Sequence, residues 1–147
     1  MIELMSTKVV FATESTATGG GRDGHVRSAT GRIDLDTRPP RELGGTGEGT
    51  NPEELFSAGY AACFLGALRL VARRSAVALD DATNVTVQVG LGKDVTTEEF
   101  GLTGVISGNL PGLSQAVADD LMAQAHEVCP YSRATRGNTD FTVVAQV

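Results

Sequence analysis

Residues 51–74 constrain the fold most strongly. Asn51 offers an N-cap, Pro52 suits the first helical position, and Glu54, three residues after Asn51, completes a capping-box pattern. Leu55, Phe56, Tyr60, Ala61, Phe64 and Leu68 then cover nearly every face of a helix that runs to about Arg74. A helix apolar all round is a buried one, so this is the expected central helix and the rest of the chain must cover it. Its most apolar stretch, Leu55 to Leu68, has 14 residues and is closely flanked by Glu53, Glu54 and Arg69. That is too short for a bilayer span, and no membrane partner is expected.

Strands are expected around this helix. Lys8–Glu14 has the residue types of a first strand, and the glycine-rich turn from Gly19 to Gly24 leads to a second at 25–35. Residues 36–50, with Pro39-Pro40 and four glycines, are a loop by composition. Residues 83–91 alternate as a half-buried strand does, and 100–110 form another strand with internal glycines. From Leu113, Val117, Leu121, Ala125 and Val128 recur at helical spacing, and Pro130 stops that helix near Cys129. Residues 141–147 make a last strand. Strands around two helices predict an α+β fold, and 147 residues predict a single domain, 1–147.

Charge narrows the function classes. The net charge of -6 argues against nucleic acid as a partner and gives no reason to expect an anionic membrane surface. The first eight residues lack a basic segment followed by an apolar run, so no secretory signal is expected. Two cysteines are too few for a secreted disulfide scaffold, and a cytoplasmic redox or catalytic pair is the better reading.

Those cysteines are the only strong, redox-capable nucleophiles. Cys63 sits mid-helix in Ala61-Ala62-Cys63-Phe64, and its local sequence by itself favours a packing role. Its sequence neighbours carry no charge, so any activating cation must come from elsewhere in the fold. Cys129 lies at a helix C-terminus, where the dipole disfavours a thiolate; it suits a resolving rather than an attacking role. Arg22 stands in a glycine run and reads either as a solvated turn residue or as a guanidinium delivered to a pocket. Glu53 and Glu54 both suit a helix N-terminus, and Glu53 is the freer to hold a guanidinium through a bidentate pair. His25 and His126 are the only histidines; His126 with Cys129 and Cys63 makes a weak zinc signal, and no metal site is expected. No dinucleotide, Walker or nucleophile-elbow motif is present, and no bound cofactor is expected.

Three segments carry a family resemblance: Thr16–Gly24 around Arg22, Gly49–Phe64 through Glu53 and Cys63, and His126–Asn138 through Cys129-Pro130-Tyr131. Through them the chain resembles the organic hydroperoxide resistance proteins, within the osmotically inducible protein group, over nearly its whole length. The glycine run before Arg22 is one residue longer than the family pattern. The resemblance implies antiparallel sheets packed around a buried central helix, in an intertwined homodimer. It further implies a thiol peroxidase that reduces organic hydroperoxides to alcohols and draws electrons from a dihydrolipoyl-type dithiol, with no metal or organic cofactor. On this resemblance Cys63 is the peroxidatic cysteine, Cys129 the resolving cysteine, Arg22 the activating arginine and Glu53 the carboxylate that orients it. Two other readings stay open: a peroxidase of the osmotically inducible branch with broader peroxide use, and a non-enzymatic thiol sensor.

Overall fold

The computed structural model describes residues 7–147. They divide into two compact units, one ending at Pro52 and one beginning at Glu53.

The first unit is a three-stranded antiparallel sheet, β1 (Ser15–Gly19), β2 (Gly24–Ser28) and β3 (Asp34–Thr37), in that order. The strand expected at 8–14 is not formed. Val9, Val10 and Phe11 are exposed and outside any ladder, because a strand-forming sequence becomes a strand only where an edge is there to pair with it. The strand expected at 25–35 is two strands. Gly31, at φ +75°, turns the chain, its N–H donating to the Ser28 carbonyl at 2.9 Å, and β3 folds back on β2. The expected loop at 36–50 begins with the end of β3, contains a short 3-10 turn at Arg41–Leu43, and closes where the Thr50 N–H donates to the Asp36 carbonyl at 2.9 Å. On the sheet, His25 is cross-strand from Asp36 and diagonal to Asp34, and hydrogen-bonds both, at 2.8 and 2.5 Å. These hydrogen bonds, to Asp36 first and then Asp34, raise its pKa above the usual value.

The second unit holds α1 (Pro52–Arg74), β4 (Asn84–Lys93), β5 (Phe100–Asn109), α2 (Gln115–Val128), α3 (Pro130–Thr135) and β6 (Phe141–Gln146). The strands expected near 83–91, 100–110 and 141–147 are all present. β4 and β5 form an antiparallel hairpin, whose turn is held by Asp94 Oδ1 accepting the Thr96 and Thr97 N–H groups, each at 2.8 Å. β6 pairs with β5 in parallel, after a crossover through α2 and α3 of the length parallel pairing demands. Ser114 caps α2 by accepting from the Val117 N–H at 3.3 Å.

Core packing explains two of the three glycines of β5. A Cβ on Gly104 would meet the Phe141 ring, and one on Gly108 would meet the Met122 sulfur, both at overlapping distances. Each glycine therefore lets a large core side chain lie directly against the strand. Around these sit Phe64, Leu68 and Val71 of α1, Ile106 of β5, and Leu121 and Ala125 of α2.

α1 spans the expected residues but is buried on one face only. Tyr60, Phe64, Ala67, Leu68, Val71 and Ala72 are covered, while Ala58, Ala62 and Gly66, spaced four apart on the opposite side, are exposed. Apolar character on all faces thus exceeds what this one chain covers. By length and composition α1 is also apolar enough to cross a membrane, with a mean hydropathy of 1.6 over its most apolar window. That differs from the expectation drawn from Leu55–Leu68, because the apolar character continues through Leu70 and Val71. Here its covered face packs in the α+β core.

Candidate active site

Cys63 lies at the midpoint of α1, half-buried, on the side that carries Tyr60 one turn earlier. Cys129 is fully buried at the break between α2 and α3. Its N–H still completes α2 by donating to the Ala125 carbonyl at 2.9 Å, yet its backbone is extended, so it also serves as the N-cap position of α3. Pro130 explains the break: it has no N–H to continue α2, and its fixed φ suits the first position of a new helix.

The break brings the thiols together. Both are free, and their Sγ atoms lie 3.6 Å apart, the distance of a thiol–thiol hydrogen bond. A disulfide needs about 2.05 Å, so closure asks for a shift of roughly 1.5 Å shared between two side chains.

Burial pushes the Cys63 pKa up, and the second thiol adds to this, because two thiolates this close repel. The Tyr131 backbone N–H, in the first turn of α3, hydrogen-bonds the Cys63 sulfur and acts in the opposite direction without overcoming burial. Within its own unit, then, Cys63 rests as a thiol. The sequence neighbours of Cys63 carry no charge, so any activating cation must come from elsewhere in the fold.

A hydrogen-bonded cluster underlies the break. Ser132 Oγ is 2.9 Å from Tyr60 Oη and 2.9 Å from His126 Nδ1, and Tyr60 Oη is 3.2 Å from Thr135 Oγ1. Thr135 donates to the Ser132 carbonyl at 3.2 Å, and Arg136 donates to the His126 carbonyl at 2.6 Å. Burial, then the Arg136 charge, lowers the His126 pKa. A neutral imidazole can accept at Nδ1, which gives one consistent chain of donors from Tyr60 through Ser132 to His126. His126 is thus engaged with Ser132, and among the described residues no three His, Cys, Asp or Glu side chains gather as a metal-holding group.

Aromatic rings surround the pair's side of α1. Phe56 contacts Tyr60 edge-on at 5.9 Å and Tyr131 at 6.3 Å, and Tyr60 packs on Phe141 at 4.9 Å. Tyr60 and Phe64 are fully buried core residues, whereas Phe56 is half-buried and Tyr131 is exposed. Gly59 faces Tyr131 closely, with 3.1 Å between its would-be Cβ and the phenol oxygen.

The other two candidate residues stand apart in the sequence. Glu53 is the second residue of α1 and is half-buried. Arg22 is exposed in the β1–β2 turn of the first unit. That turn is well fixed: Gly19 and Gly21 take φ +68° and +75°, Thr37 Oγ1 donates to the Gly21 carbonyl at 2.6 Å, and the Gly24 N–H donates back to Thr37 Oγ1 at 3.0 Å. Thr37 thereby brackets Arg22. Sequence reasoning missed Thr37, Tyr131 and Ser132. Only Tyr131 and Ser132 had a readable signal, a proline directly after Cys129 that restarts a helix.

The site is thus two free thiols in contact across a helix break, in an α+β unit built on one long apolar helix. The chain belongs to the OsmC-like protein family, whose model matches residues 45–144, and within it to the organic hydroperoxide resistance proteins. It is 44% identical over 137 residues to the organic hydroperoxide resistance protein of Xanthomonas axonopodis pv. citri, covering 92% of this chain and 94% of that one. The crystal structure of an organic hydroperoxide resistance protein from Legionella pneumophila superposes with a TM-score of 0.88 at 45% identity, over 95% of this chain and 100% of that one. That of the organic hydroperoxide resistance protein OhrB of Bacillus subtilis gives 0.84 at 41% identity, over 94% and 100%.

Proposed function

We propose that this protein is a cysteine-based peroxidase that reduces organic hydroperoxides to alcohols. The observation that carries the reading is the 3.6 Å contact between two free thiols, one half-buried and one fully buried. The names of the relatives supply the substrate class.

Cys63 is the attacking group. Its thiolate takes the distal peroxide oxygen, the O–O bond breaks, and the alkoxide leaves and is protonated to the alcohol. Cys63 becomes a sulfenic acid. The Cys129 thiol then displaces its hydroxyl, which leaves as water, and a Cys63–Cys129 disulfide forms. A dihydrolipoyl-type dithiol reduces this disulfide by exchange and is itself oxidised to a cyclic disulfide. Because burial holds Cys63 as a thiol, the cycle needs a cation near the sulfur; Arg22 takes that role, with Glu53 orienting its guanidinium. The reading needs no metal or organic cofactor and suits a reducing cytoplasm. The exposed apolar side of α1, at Ala58, Ala62 and Gly66, suits the homodimer expected of the family.

The test is steady-state reduction of cumene hydroperoxide with dihydrolipoamide, run beside hydrogen peroxide. Fast turnover with strong preference for the organic substrate is expected. Equal rates on the two peroxides would favour a broader osmotically inducible peroxidase. A single oxidation followed by a stall, with reductant present, would identify a sensor.

A further inference from the structure

We infer that Ser132 is a positioning residue for the thiol pair: its buried hydroxyl ties together the two helices that carry Cys63 and Cys129. The inference rests on the reading of those thiols as attacking and resolving groups.

The geometry is specific. Tyr60 precedes Cys63 by three residues on α1, and His126 precedes Cys129 by three at the end of α2. Residues three apart on a helix share a face, so each ring sits one turn below its thiol. Ser132 Oγ joins both rings, at 2.9 Å each, and is completely buried. One oxygen therefore closes a loop that runs from Cys63 to Tyr60, through Ser132 to His126, and on to Cys129. Ser132 also follows Tyr131, whose N–H bonds the Cys63 sulfur.

A buried hydroxyl with two partners fixes orientation more than it adds stability, since its hydrogen bonds replace those made with water. The orientation it fixes is the one that leaves the two sulfurs within a short side-chain movement of bonding. Without it, α3 can shift relative to α1, and the sulfurs spend less time within reach of one another.

The expected consequence is a weaker disulfide. Reduced wild type, Ser132→Ala and Tyr60→Phe are equilibrated in oxidised and reduced dithiothreitol. Each protein disulfide formed gives up two electrons and two protons, which open one oxidised dithiothreitol ring to the dithiol. The fraction of Cys63–Cys129 disulfide is read by mass spectrometry. Ser132→Ala should lower the effective concentration of the pair about 10-fold, the factor carried by one lost hydrogen bond. This raises the reduction potential by about 30 mV. Tyr60→Phe keeps the serine and should move the potential the same way by less. Iodoacetamide alkylation of Cys63 against pH should also shift upward in Ser132→Ala, as the Tyr131 N–H loosens.

A wild-type potential and alkylation profile in both variants would overturn the inference, even if both were less stable to denaturant. Failure of both to fold would do the same, by assigning the cluster to stability alone. No peroxide enters this experiment. A wild type that ignores cumene hydroperoxide while these potentials shift therefore refutes the substrate reading and leaves the positioning role standing.

Discussion

The β1–β2 turn and the α2–α3 break hold their residues by opposite means. At the turn, an exposed arginine stands on backbone that glycines and one threonine hold, in a sheet whose side-chain ties include His25, Asp34 and Asp36. At the break, a fully buried thiol and a half-buried one lie against the core with their sulfurs in contact. The difference teaches a division of labour. Burial at the break holds Cys63 as a thiol, and the proposed function assigns its activation to the charged group on the turn.

The largest expected effects fall on the sulfurs. Cys63→Ser should reduce turnover to the background rate. Cys129→Ser should leave one peroxide reduced per chain, with a trapped sulfenic acid detectable by dimedone adduct formation. A Cys129→Ser protein that cycles normally on dihydrolipoamide would break the assignment of a resolving thiol.

Next comes the turn. Arg22→Ala should lower kcat/KM for cumene hydroperoxide by about 100-fold or more while leaving the denaturation midpoint unchanged. Arg22→Lys should recover only part, because an ammonium lacks the planar fork. An unchanged rate in Arg22→Ala would mean that the thiol is activated from within its own unit.

Stability should respond in the same order. Leu68→Ala, at a fully buried core position, is expected to cost about 2–5 kcal/mol in chemical denaturation. Gly21→Ala, at an open turn position of φ +75°, is expected to cost about 1–2 kcal/mol. Equal costs would say that the two regions are held by the same means.

The smallest effects are in titration, and they separate the regions by sign. His25 has its pKa raised by Asp36 and Asp34, so its contribution to stability is complete below the unfolded value of 6.5 and is lost as pH rises through the folded value. His126 has its pKa lowered by burial and Arg136, so its contribution is complete above 6.5 and is lost as pH falls through the folded value. Ring-proton NMR titration should place the two histidines on opposite sides of 6.5. His25→Gln should lower stability on the acid side, where His25 contributes, so that stability no longer falls as pH rises through its folded value, and should leave the acid loss due to His126 in place.

Much of this was legible in the sequence. α1 announced itself through its cap and apolar faces, and the alternating and glycine-containing strands of the second unit fell where expected. These elements carry their own periodicity. The elements that were misread depend on partners: Lys8–Glu14 has strand residues but joins neither sheet, and one expected strand at 25–35 is split by a single glycine turn. At the site, the two cysteines could be named because thiols are few and distinctive. Ser132 and Thr37 could not, because an ordinary hydroxyl becomes informative only when its buried partners are known.

The most direct measurement is a single turnover. Fully reduced wild-type protein is mixed with one equivalent of cumene hydroperoxide without reductant, and the products are peptide-mapped. The account predicts one equivalent of cumyl alcohol, loss of two free thiols per chain, and a peptide linked between Cys63 and Cys129. Unconsumed hydroperoxide with both thiols still free would contradict it.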